Sequence, residues 1–197
     1  MSPRTEEQFE GIREEKKTLI METGLELFAT DAYHNVSVSD IAQAANISKG
    51  LMYNYFKSKE ELLLSIVHKG IANILNAFDI DKDGVLTQHE LTFFIDFTFK
   101  TLISNKQLWR LYFMLFLQPD VSEIVKNEYL AIQETVSKIA YSFFEGQGYA
   151  DPKCEMVVLA ALLEGMAFQF VFANDASEYP LKRLEDYIYE KYGLERK

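Results

Sequence analysis

Between Ser48 and Lys59 the chain gathers Ser48, Lys49, Tyr53, Asn54, Tyr55, Lys57 and Lys59, every one of them able to donate a hydrogen bond. No Asp or Glu occurs from Ile41 to Phe56. Donors and cations with no carboxylate among them suit a polyanion, and the chemistry this implies is charge neutralisation along a phosphodiester backbone. The rest of the chain makes that local bias stand out. Lys and Arg number 20 against 30 Asp and Glu, a formal net charge of -10. Such acidity works against non-specific adhesion to nucleic acid or anionic membrane, so any phosphate contact must be confined to this stretch.

Two short helices joined by a tight turn are expected to position these groups. Ser37 is a helix N-cap, with Asp40 completing a capping-box pair, and Ile41, Ala42 and Ala45 supply a buried side. Asn46 tolerates the left-handed conformation that ends a helix. Ser48 caps a second helix over 49–56, and Ser58 with Glu61 opens a longer one to about residue 78. Ser48 also leaves a hydroxyl and backbone N–H groups at a positive helix end, Lys49 adds charge there, and Gly50 permits close approach to a groove wall. Met52 and Phe56 read as core. The alternative for the lysines is a solvated face.

Upstream, residues 1–10 read as a disordered arm, followed by a helix to about residue 29 with Leu19/Ile20, Thr23/Gly24 and Leu27/Phe28 on its inner side. Downstream, helical spacing continues over 88–103, 106–117, 121–145, 153–173 and 180–192. The expected fold is all-α, about nine helices, with no sustained alternation to mark a strand. Three segments follow: an arm over 1–10, a helix-turn-helix domain over 11–60, and a larger helical domain over 61–197. A lone cysteine, Cys154, permits no internal disulfide and fits a reducing compartment. Without a signal-peptide core or about twenty uninterrupted apolar residues, the expectation is a cytoplasmic protein with no membrane partner.

Leu27-Phe28, Val38, Asp40-Ile41-Ala42, Ala45, Ile47-Ser48-Lys49-Gly50, Met52-Tyr53, Tyr55-Phe56 and Ser58-Lys59-Glu60-Glu61-Leu62 together resemble the N-terminal domain of the TetR family of bacterial repressors. The resemblance covers residues 12–66; beyond it only the order of helices is similar. Gly24, where alanine is usual, and Asn46, where a turn glycine is commoner, depart from the pattern. The resemblance implies a homodimer whose second helices enter the major groove of a double-stranded operator. It implies Tyr53, Tyr55 and Lys59 on phosphates, Lys49, Gly50, Leu51 and Asn54 toward bases, and Ser37, Val38 and Ser48 beside them. It also implies a dimer interface built from helices 153–173 and 180–192, and a small-molecule effector.

Residues 79–90 carry a second pattern. Asp79, Asp81 and Asp83 occupy the first, third and fifth places of an EF-hand calcium loop, Gly84 the sixth, Leu86 the eighth and Glu90 the twelfth. The three Asp carboxylates, the Val85 carbonyl, Thr87 and a bidentate Glu90 would surround Ca²⁺. An ordinary capped turn explains half of the same pattern, since Thr87 and Glu90 form a capping box and Asp83-Gly84 a turn pair. No cofactor is otherwise called for.

The larger domain is rich in aromatic residues. Trp109, Tyr112, Phe113, Phe116, Met166 and Phe170, with Glu164 and Gln169 as polar members, are the candidates for an apolar ligand pocket, with plain core as the competing reading. Enzymatic chemistry finds no support: His34, His68 and His89 are scattered, Cys154 has no histidine at a telling spacing, and no glycine-rich phosphate loop occurs. The functional expectation is a DNA-binding regulator, a repressor released by a small molecule. The alternative is a calcium-responsive helical binding protein.

Overall fold

The computed structural model describes residues 6–175 and 177–196. Its helices are α1 (Glu6–Thr30), α2 (Val38–Ala44), α3 (Lys49–Tyr53), α4 (Lys59–Phe78), α5 (Gln88–Ser104), α6 (Lys106–Phe116), α7 (Pro119–Ile124), α8 (Lys126–Gly146), α9 (Pro152–Phe172) and α10 (Leu181–Tyr192), with one 3-10 turn at Tyr33–Asn35. Among the described residues there is no strand. The chain divides into two compact units, Met1–Lys69 with Met114–Lys126, and Gly70–Phe113 with Asn127–Lys197.

In the first unit α1 turns Ile20, Met21, Leu25, Phe28 and Ala29 inward. Leu19 is 39% exposed, so the inner stripe lies one residue further along than the sequence spacing placed it. Residues 1–5 of the expected arm lie outside the described residues, and the remainder, 6–10, is helical as the start of α1. Gly24 marks a close approach. A Cβ there would lie 2.8 Å from Cδ2 of Leu62, which is wholly buried on α4, and the absent side chain lets the two helices meet.

Caps set the helix starts. Ser37 Oγ accepts from the Asp40 N–H at 3.2 Å while Asp40 Oδ2 accepts from the Ser37 N–H at 2.8 Å. Hydrogen bonding from Ser37 to the exposed Asp40 carboxylate, from the hydroxyl first and the backbone N–H second, holds that carboxyl below its ordinary pKa. At α4 the box is displaced by one residue. Ser58 Oγ accepts from the Glu61 N–H, but the Glu61 carboxylate reaches the N–H of Lys57 at 2.6 Å.

The second unit packs around Leu91, Ile95, Phe99, Leu102, Phe144, Leu163 and Ala167, with Phe78 and Phe94 edge-to-face at 5.1 Å. The Tyr189 hydroxyl of α10 donates to Asp96 of α5, and burial, reinforced by that carboxylate, pushes the phenol pKa well up. α9 is long and apolar enough to cross a membrane by length and composition. Its Leu159, Leu163, Met166, Ala167, Phe170 and Val171 are instead buried in this core.

The single helix expected over 121–145 is two helices. α7 ends at Ile124, its C-cap Val125 departs from the helix with φ/ψ of -93/2, and α8 starts at Lys126. Val121 and Val125 are buried with the first unit, whereas Asn127 onward belongs to the second. The chain passes from one unit to the other at this joint.

Candidate nucleic-acid interface

The turn after α2 has the conformation that asparagine favours: Asn46 has φ +53, and the Ile47 N–H reaches back to the Ala42 carbonyl at 2.9 Å. α3 follows at once. Ser48 Oγ accepts from the Leu51 N–H at 3.1 Å, fixing the start of the helix. Met52 and Phe56, each 1% exposed, anchor the segment in the core. α3 is shorter than expected, ending at Tyr53 with Asn54 as C-cap.

With that anchor set, Ser48, Lys49, Gly50, Tyr53 and Asn54 are exposed, while Leu51 and Tyr55 are half-buried. Nothing lies within 4 Å of where a Gly50 Cβ would stand, so this side of α3 is open. Ser37 is exposed as the α2 cap and Val38 is half-buried beside it. Tyr55 borders a cleft of about 440 Å³ with Glu10, Arg13, Glu14 and Lys17 of α1. Arg13 and Lys17 are cations that local motif reading overlooked, because their nearness to Tyr55 depends on how α1 folds back.

Lys59, expected on a phosphate, has partners within its own unit. Its ammonium donates to the Tyr33 carbonyl at 2.8 Å and lies 4.3 Å above the centre of the Tyr33 ring. Both interactions hold it inside its own unit, tying the start of α4 to the 3-10 turn.

The acidic loop has the turn its glycine foretold, with Gly84 at φ +77 and Lys82 at φ +61. Leu86 is buried as the anchor. Ligand oxygens of Asp79, Asp81 and Asp83 lie within 4.8 Å of one another. The rest of the expected shell is otherwise engaged. Glu90 Oε2 accepts from the Thr87 N–H at 2.9 Å and its hydroxyl at 2.8 Å, and Oε1 accepts from the Ile80 N–H at 3.0 Å. Thr87 and Glu90 thus form the capping box of α5, and the Val85 side chain is exposed.

The candidate pocket residues are found in different surroundings. Met166 and Phe170 are buried in the core, with Trp109 and Phe113 packed against it. Tyr112 lies against Gly70, and burial raises its phenol pKa. Glu164 and Gln169 face outward on α9, and Phe116 is 38% exposed. The large rings are used to fill the helical core, and the polar members stand on the opposite side of α9.

A short α3, docked by Met52 and Phe56 and presenting Lys49, Gly50, Tyr53 and Asn54, defines a helix-turn-helix DNA-binding domain. Residues 20–66 match the family described as "Bacterial regulatory proteins, tetR family". The match to that family covers this N-terminal domain and not the larger helical unit. It is 50% identical over 66 residues to the uncharacterized HTH-type transcriptional regulator YuxN of Bacillus subtilis, an alignment covering 32% of this chain and only 23% of the length of YuxN. It is 25% identical over 182 residues to IcaR of Staphylococcus epidermidis, the negative transcriptional regulator of the biofilm operon icaADBC, covering 88% of this chain and 95% of that one. A TerR/AcrR-family regulator from Aquifex aeolicus shares the fold, with TM-score 0.63 and 23% identity over 90% of this chain and 98% of that one.

Proposed function

We propose that the chain is a DNA-binding transcriptional regulator of the cytoplasm, a homodimeric repressor that leaves a palindromic operator when a small molecule binds. One observation carries the reading: the open side of α3, where Lys49, Gly50, Tyr53 and Asn54 are exposed on a helix fixed by its core anchors. Lys49, Gly50, Leu51 and Asn54 face bases, and Ser37, Val38, Ser48, Tyr53 and Tyr55 the backbone, joined by Arg13 and Lys17. Reading DNA needs no cofactor. The repressive sign is supported by the likeness to IcaR, a negative regulator.

Dimerisation is supported by α9. Val157, Ala160, Ala161, Glu164 and Phe168 are exposed at helical spacing, Val157 at 55% and Phe168 at 42%. A mostly apolar stripe of that length belongs against a partner, here a second copy, with α10 alongside. Selection of bound sequences from a random DNA pool is the test. The expected result is a palindrome with half-sites about one helical turn apart. Absence of any enriched sequence refutes the reading.

A Ca²⁺ ion in the loop 79–90 is a second reading, favoured by one observation. Asp79 Oδ1 is buried with no hydrogen-bond partner, beside the carboxylates of Asp81 and Asp83. Calorimetric titration of Ca²⁺ should give heat with the wild type and none with Asp79→Ala; a silent wild type ends this reading.

A further inference from the structure

A cleft of about 500 Å³ lies in the second unit, between the first turns of α6 and the end of α9. Lys106, Gln107 and Arg110 form one side, and Val171, Phe172, Ala173 and Asn174 the other. Its volume is that of a small-molecule site. Its charge runs against that of the chain, two cations one helical turn apart in a protein of net charge -10.

The two cations differ in how far the fold accounts for them. Lys106 serves the fold itself. Its ammonium donates to the Ala173 carbonyl at 3.4 Å, just past the end of α9, and sits 5.3 Å from the Phe170 ring centre. Arg110 has no hydrogen bond of that kind. Its guanidinium carbon lies over the Phe172 ring, 5.6 Å from the ring centre. Among the described residues no carboxylate lies within 4 Å of it, and no hydrogen bond engages its donors. The nearby Asp175 carboxylate is held by Ser177, through the hydroxyl at 2.6 Å and the N–H at 2.8 Å, and its charge acts on Lys106, which leaves Arg110 as the cation without a carboxylate partner among the described residues. Two like charges at i and i+4 repel and cost a helix stability, a cost that an anion between them would reverse. The cation–π contact with Phe172 leaves the guanidinium N–H donors available for pairing with an oxyanion.

We propose that this cleft binds a small organic anion, its carboxylate on Arg110 with Lys106 and Gln107 beside it and its apolar body against Val171 and Phe172. This deepens the regulator reading, on which it rests, by giving the effector a chemical class, an amphipathic carboxylate. The site is not made from the aromatic residues that composition singled out.

The single tryptophan, Trp109, adjoins Arg110 in α6 and makes binding visible without DNA. Octanoate, octan-1-ol and inorganic phosphate are titrated against the full chain while Trp109 emission is followed. Octanoate should give a saturable change, weakened by added salt, and the alcohol and phosphate should each bind at least tenfold more weakly. Arg110→Gln should lose at least tenfold in octanoate affinity at an unchanged melting temperature, and exposed Lys100→Gln should bind as the wild type does. Equal binding of octanol or of phosphate, no response to octanoate, or an undiminished Arg110→Gln would overturn the proposal. Because no operator is present, its failure leaves the DNA-binding reading standing, and failure of operator selection leaves the cleft standing.

Discussion

The backbone N–H of Tyr33 donates to the side-chain oxygen of Gln118 at 2.7 Å, across 85 residues of sequence. The same amide donates through its nitrogen to the Phe28 carbonyl at 2.7 Å and to the Met114 carbonyl at 3.3 Å. One side chain at the corner between α6 and α7 therefore satisfies two backbone groups where α1 gives way to the 3-10 turn.

Gln118→Ala strands a part-buried donor and acceptor at once. The expected loss is about 1–3 kcal/mol in the unfolding of the first unit, read from the urea midpoint by circular dichroism. Gln118→Glu keeps the acceptor for Tyr33 and loses the donor for Phe28, so it should fall between the two. An unshifted midpoint for Gln118→Ala would show that the clamp contributes nothing.

Lys49 and Lys59 should separate into different phenotypes. Lys49→Ala is expected to weaken DNA binding and reduce the salt slope by about 1, with thermal stability intact. Lys59→Ala removes the bond to the Tyr33 carbonyl and the contact with its ring, so it should lower the melting temperature and leave the salt slope as it was. A reduced slope in Lys59→Ala would return that residue to the DNA.

These two lysines mark how far the sequence could be read. Short-range signals were legible: Ser37, Ser48 and Thr87 each accept an N–H three residues on, and they start α2, α3 and α5. Met52 and Phe56 were legible as core from their large apolar side chains alone. What escaped depends on partners distant in the chain. The inward turn of Lys59, the Gln118 clamp and the cation–π contact of Arg110 with Phe172 join residues 26 to 90 positions apart. The break at Val125 escaped for another reason. No proline or glycine marks it, and it falls where the chain passes from one unit to the other.

Phe168→Glu should convert a dimer to monomers, since it replaces the largest apolar side chain of the exposed α9 stripe with a second charge one turn from Glu164. Light scattering after size-exclusion chromatography gives the mass directly. A wild-type monomer, or a Phe168→Glu dimer of undiminished affinity, would place the interface elsewhere.

Glu90 gives the second unit an acid limit. Burial alone would raise its carboxyl pKa, but bonds from the Thr87 N–H and hydroxyl, and from the Ile80 and Asp81 backbone, outweigh it and hold the carboxyl below the ordinary range. A depressed folded-state pKa stabilises fully above the unfolded value, about 4.3, and that stabilisation is lost as pH falls through the lower folded value. The melting temperature of the wild type should therefore drop more steeply below about pH 4.3 than that of Glu90→Gln. Parallel acid limbs would contradict this.

The grouping of Met114–Lys126 with Met1–Lys69 bears on how such a protein can be recombined. A DNA-reading head exchanged between relatives at a single crossover near Lys69 would arrive without Leu115, Gln118 and Val121, residues that complete its own interior. Inheritance of a new operator specificity by wholesale exchange needs a second crossover that carries the α6–α7 corner along. Substitution on the open side of α3 needs neither, and is the shorter route by which this chain could acquire a different operator.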